Sequence, residues 1–238
     1  MRIHLVNPNT TAAMTEKMAV AAWAVAAPGT EIVAVTSRQG PASIEGHYDG
    51  AMSLAGLMAA IGAQGAGADA HVIGCFDDTG LDAARALAPA PVVGIGEAAY
   101  HMAALVSERF SVVTTLSRSI PILEDNLRRY GLAARCARVR AAEVAVLELE
   151  KPNAAARTRI SAEIAAALSE DRADAIVLGC AGMADLAAAL AAEHGVPVIE
   201  GVAAAVKLTE SLVSLGLRTS KTGGYAAPLP KAYAGPAD

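Results

Sequence analysis

Aromatic residues are scarce in this chain, which holds two Phe, five Tyr and one Trp among 238 residues. Its core must therefore be built from the Ala, Val, Leu and Ile that dominate a 54% hydrophobic content. At this length one α/β domain or two small ones can bury such a core. Basic clusters are missing as well. Nineteen Lys and Arg stand against 24 Asp and Glu, with no run dense enough to neutralise a stretch of phosphates, so nucleic acid is not an expected partner. No apolar run reaches the roughly 18 residues of a membrane helix, and no membrane association is expected. The opening MRIHLVNPNTT reads as a strand rather than the apolar stretch and cleavage site of a secretion signal. Only three cysteines occur, far apart, and they cannot all pair within one chain. The expectation is free thiols in a reducing, cytoplasmic compartment.

Two of those cysteines end nearly the same octamer: ADAHVIGC at Cys75 and ADAIVLGC at Cys180, 180 − 75 = 105 residues apart. Near that offset PVVGIGEAA from Pro91 is echoed by PVIEGVAAA from Pro197, and LVNPN (5–9) has a looser counterpart in VVTTL (112–116). Short β-rich runs at 2–6, 31–35, 71–74, 91–94, 110–113, 136–140, 175–179 and 196–199 alternate with helical stretches. The helical stretches lie near 11–27, 48–65, 80–88, 96–108, 119–130, 153–170, 183–194 and 202–215. This alternation, with strands apolar on both faces, predicts parallel sheets covered by helices. The fold class expected is α/β, as two pseudo-symmetric Rossmann-like domains with parallel sheets and an interdomain cleft. The first would hold residues 1–97 plus 208–238 and carry Cys75; the second, 98–207, would carry Cys180. Residues beyond about 217 read as irregular.

Ligands of open α/β sheets bind outside the carboxyl ends of the strands, where both Gly-Cys pairs fall. Each Cys precedes a predicted helix, whose N-terminus would favour a thiolate. Cys136, within RCARVR, lacks the glycine and the following helix, and reads as structural. A zinc site would want close ligand spacing such as C-x₂-C, which is absent, and no histidine accompanies either Gly-Cys. The chemistry left for two facing thiols is proton exchange at carbon, one sulfur removing a proton and the other delivering one to the opposite face. Asp77 and Asp78 would serve as helix caps and oppose ionisation of Cys75, leaving Cys180 the better thiolate. NPNTT (7–11) and the Gly-rich connection 37–50 are candidate binding loops, the latter lid-like. GIGEAA (94–99) lacks the G-x-G-x-x-G spacing of a dinucleotide fingerprint.

NPNTT, RQGPASIEGHYD, GCFDD, FSVVTTL, VLGCAGM and GVPVIEGVAAAVKL together resemble the hydantoin racemase family of the aspartate/glutamate racemase superfamily, over about residues 1–225. The resemblance implies a racemase without cofactor or metal that interconverts D and L 5-substituted hydantoins, allantoin included, through Cys75 and Cys180. It places substrate contacts at Pro8, Asn9, Ile44, Glu45, Phe76, Asp77, Thr115, Ala181 and Gly182, and Glu200 stands where the family usually has Asp. The partners implied are a small-molecule substrate and further copies of the chain as a homo-oligomer. Two alternatives stay open: another superfamily enzyme, such as an amino-acid racemase, maleate isomerase or arylmalonate decarboxylase, or a binding protein without turnover.

Overall fold

The computed structural model of the protein describes residues 1–64, 67–151 and 154–232. Of the expected elements, positions 65 and 153 and the tail from 233 onward lie outside these. Among the described residues eight strands alternate with eight helices in chain order: β1 (Arg2–Asn7), α1 (Ala12–Val25), β2 (Glu31–Thr36), α2 (His47–Gln64), β3 (Ala70–Ile73), α3 (Leu81–Leu87), β4 (Val92–Gly94) and α4 (Ile95–Val106). The second series is β5 (Phe110–Thr114), α5 (Ile120–Arg129), β6 (Cys136–Ala141), α6 (Ala154–Glu170), β7 (Ala175–Leu178), α7 (Ala187–His194), β8 (Val198–Ile199) and α8 (Gly201–Ser214). They form two parallel four-stranded sheets, ordered β2-β1-β3-β4 and β6-β5-β7-β8. Adding four to each label of the first sheet produces the second.

The strand register shows how literal the repeat is. Ile3 lies beside Ala70 as Phe110 lies beside Ala175, and Val6 beside Ile73 as Val113 beside Leu178. Asn7, next after Val6, therefore occupies the place of Thr114, and the NPN loop that of the TTL loop. The central strands β1, β3, β5 and β7 are almost wholly buried because helices cover both faces. α8 packs on α1, α4, β3 and β4, and α4 reaches β7 as well, so these two helices join the sheets. One continuous core results, running from Ile3, Leu5 and Val72 through Tyr100 and Val206 to Phe110, Val112 and Val177.

Two histidines sit inside that framework. His4 and His71 are register partners on β1 and β3, buried with Nδ1 atoms 3.1 Å apart. Burial pushes each down to about 4, and the pair is neutral near neutral pH. From 217 to 232 the tail is irregular apart from a short turn at Gly223–Tyr225, and is tied to α3 by Lys221 on the Arg85 and Ala86 carbonyls and by Tyr225 on Asp82.

Candidate active site

The Gly-Cys pairs end β3 and β7, the two strands next to the first strand of each half. Gly74 N–H donates to the Val6 carbonyl and Gly179 N–H to that of Val113, each at 2.8 Å, carrying the ladder one residue past the strand. A side chain at either glycine would collide with what lies alongside. A Cβ on Gly74 would stand 2.6 Å from Met18 Sδ, and one on Gly179 would stand 2.8 Å from Thr114 Cβ. Glycine is there because the backbone must pass this closely. The residue after it is thereby turned out at the strand end. Each cysteine then opens a tight turn, closed by Asp78 N–H on the Cys75 carbonyl and by Met183 N–H on that of Cys180. Gly-Cys is one backbone device used twice.

Both thiols line one cleft, together with Asn9, Met14, Ile44, Phe76, Asp77, Thr114, Thr115, Ser119, Val146 and Ala181. Of the sequence-derived contacts, Asn9, Ile44, Phe76, Asp77, Thr115 and Ala181 are among these walls; Pro8, Glu45 and Gly182 are not. Pro8 is buried in the loop after β1. Glu45 instead accepts the Val146 N–H at 2.8 Å, so the lid-like loop is latched to the second half. Thr10 N–H and Thr11 Oγ1 hold the same loop through the Pro41 and Ala42 carbonyls. Gly182 accepts from Lys17 Nζ at 3.2 Å, which also reaches the Leu149 carbonyl and pairs with Glu150. Met14, Ser119 and Val146 are lining residues that no sequence motif marks. Within NPNTT, Asn7 donates to Asn9, the Thr11 carbonyl and Thr15, and this network holds the loop rigid.

The helix-start expectation for the thiols needs correcting. α3 begins only at Leu81, after Gly80 at φ +73°, so Cys75 sits on a loop well before it. Cys180 does precede helical structure, but a 3-10 turn, Ala181–Leu186. Burial pushes both thiols up, Cys180 to about 12 and Cys75 further. Against burial, the backbone N–H two residues on, of Asp77 and of Gly182, favours each thiolate. Thr79 Oγ1 adds a contact to Cys75 at 3.7 Å, and the Lys17 cation pulls Cys180 down.

The two aspartates divide their work differently from the expectation. Asp78, at φ +51°, caps α4 rather than α3: its carboxylate accepts the N–H groups of Gly96 (3.0 Å) and Glu97 (2.7 Å) and the Tyr130 hydroxyl (2.7 Å). Asp77 caps nothing. Its Oδ2 is shut off from solvent with no hydrogen-bond partner among the described residues, and burial pushes its carboxyl up to about 7. Its charge raises both thiols. Glu200 caps α8, accepting from Val202 and Ala203. Cys136 lies on β6, half-buried, away from the cleft. Among the described residues no three His, Cys, Asp or Glu side chains gather as a metal site, and no helix is long and apolar enough to cross a membrane.

Comparison with known proteins converges on the same reading. The chain is 49% identical to a hydantoin racemase of Rhizobium meliloti over 236 residues, 99% of this chain and 98% of that one. Its fold superposes on an allantoin racemase from Klebsiella pneumoniae with a TM-score of 0.97 at 51% identity, covering 99% and 97% of the two chains. An allantoin racemase from Pseudomonas fluorescens gives 0.96 at 45% identity, covering 99% and 100%. The family model described as Asp/Glu/Hydantoin racemase matches residues 3–209, which include both strand-Gly-Cys ends and the loops around them. By fold and by sequence, the chain belongs to the Asp/Glu/Hydantoin racemase family.

Proposed function

We propose that this enzyme racemises 5-monosubstituted hydantoins, allantoin among them, with Cys75 and Cys180 as its two proton-transfer groups. The observation that carries the reading is the pair of equivalent strand ends turning a thiol each into one cleft. The C5 hydrogen of a hydantoin is alpha to a ring carbonyl, so its loss leaves an enolate. One sulfur, as thiolate, takes the proton from one face. The opposite thiol delivers its own to the other face, and the protonation states of the pair are exchanged. Because burial holds both thiols above their ordinary range, the working thiolate is a minor species at rest.

Asn9, Ile44, Phe76, Asp77, Thr115 and Ala181 would contact the substrate directly; Pro8 and Gly182 shape the loops behind them, and Glu45 holds the lid-like loop shut. The two halves divide near residues 97 and 207. The names of the relatives support the substrate class. A cytoplasmic homo-oligomer that needs no cofactor or metal completes the reading. Its assembly is supported by α2, which carries no charge after Asp49 and leaves Met52 and Leu54 exposed.

The test is polarimetry with single enantiomers of 5-substituted hydantoins, allantoin, aspartate and glutamate, with maleate followed by chromatography. Rotation should decay for the hydantoins and allantoin alone. Decay with an amino acid, or isomerisation of maleate, and none with the hydantoins would move the enzyme elsewhere in its family; no turnover of any would make it a binding protein.

A further inference from the structure

A group near both sulfurs occupies a special place once the substrate is a flat ring. If the two thiols approach C5 from opposite faces, whatever lies between them meets the ring at its edge, where its carbonyl and N–H groups are. Asp77 shares the cleft with both cysteines, and its charge is felt at both. Its Oδ2 is enclosed and unpartnered among the described residues. A buried polar atom without a partner is costly unless something else satisfies it. The second half has no counterpart, because the equivalent position, 77 + 105 = 182, is Gly182. A Cβ there would already press on Leu149 Cδ1 at 3.0 Å. One carboxyl thus serves the whole cleft.

Resting on the racemase reading above, we propose that Asp77 is a catalytic residue acting as the uncharged acid, its carboxyl O–H donating a hydrogen bond to the ring carbonyl oxygen that becomes the enolate. The electron pair of the broken C5–H bond moves onto that oxygen, the proton goes to the thiolate, and the opposite S–H supplies the returning proton. Asp77 keeps its own proton throughout. A charged carboxylate here would repel the enolate and either thiolate, whereas a neutral donor stabilises charge as it develops in a dry site. The titratable groups about it are Cys75 and Asp78 on its own loop, Tyr100 on α4, and Cys180, with Lys17 and Glu150 beyond. Burial already places the carboxyl near 7, so the acid form holds on the acid side and is lost as pH rises.

The experiment compares wild type, Asp77→Asn and Asp77→Ala in racemisation of allantoin and a 5-alkylhydantoin across a pH series. Asparagine keeps a neutral donor at every pH. Because the thiolate fraction keeps growing with pH while the acid form of Asp77 shrinks, the wild-type rate should level off above about pH 7. Asp77→Asn should hold kcat within about tenfold of wild type near neutral pH and go on rising beyond it. Asp77→Ala should lose roughly 10²–10³-fold in kcat with a smaller change in KM. A merely structural role would leave the pH profile's shape unchanged. Equal rates in the Asn and Ala variants, or a levelling above about pH 7 that survives in Asp77→Asn, would overturn the role of Asp77 while the racemase stands. A wild type inert on both substrates would overturn the racemase reading and this one with it.

Discussion

The two strand ends are alike in backbone and unlike in everything that surrounds the sulfur. After Cys75 come Phe76, Asp77, Asp78 and Thr79; at the same offsets after Cys180 come Ala181, Gly182, Met183 and Ala184. The first half supplies two carboxyls and a hydroxyl. The second supplies small residues wound into a 3-10 turn, with a cation, Lys17, brought over from α1. Even the helix caps are exchanged. α8 is capped by its own Glu200, while the matching position before α4 is Gly94, whose helix is capped by Asp78 from another loop. A Cβ on Gly94 would fall onto the Asp78 carboxylate. Fold symmetry therefore places two thiols, and the departures from it set how readily each ionises.

Removing either thiol breaks the comparison outright. Cys75→Ser and Cys180→Ser should each lower racemisation by about 10³-fold or more. Each should still exchange the C5 hydrogen for solvent deuterium from one enantiomer, and the two variants should prefer opposite enantiomers. NMR with polarimetry checks this; a shared preference would remove the two-sided mechanism. Cys136→Ser is the control and should keep the wild-type rate.

The glycines test the scaffold in place of the chemistry. At Gly179 an added methyl meets the Thr114 backbone, with Cα at 3.0 Å, whereas at Gly74 it first meets the movable Met18 thioether. Gly179→Ala should cost about 3 kcal/mol and Gly74→Ala nearer 1 kcal/mol, by the usual penalty for overpacking. Thermal unfolding of the two variants checks the order; equal losses would mean the two strand ends are equally pliable.

Lys17 offers the smallest and sharpest cut. Its cation favours the thiolate of Cys180, so Lys17→Met should raise that thiol further and move the acid limb of the rate profile toward alkaline pH. A loss of about three- to tenfold near neutral pH follows from a shift of up to one unit. Lys17→Arg should restore the profile, because the charge returns. A lower rate with an unmoved limb would assign Lys17 to holding the Leu149 and Gly182 carbonyls alone.

The strands and helices were legible because helices on both faces leave apolar strands, and the offset of 105 was legible in the letters themselves. The strands at 70–73 and 175–178 repeat that offset residue for residue. What escaped is contact across distance. Glu45 reads as a lid residue facing substrate, yet it meets Val146 across the cleft. Asp78 looks like a cap for the helix that follows and serves α4 instead, since the loop turns back at its positive φ. Met14, Ser119 and Val146 carry no local signal, because a wall residue is defined by what faces it. The thiol environment was misjudged for a related reason: a helix following in sequence says nothing about how deeply a sulfur is buried.

The unlikeness of the two sulfur environments meets a thermodynamic limit. D and L substrates are mirror images in achiral water, so their equilibrium constant is one, and kcat/KM must be equal in the two directions. The carboxyls beside Cys75 and the cation beside Cys180 can make one enantiomer bind more tightly, but kcat for that enantiomer must fall by the same factor. The asymmetry built around a duplicated strand end therefore decides which enantiomer saturates the enzyme first, and never which one accumulates.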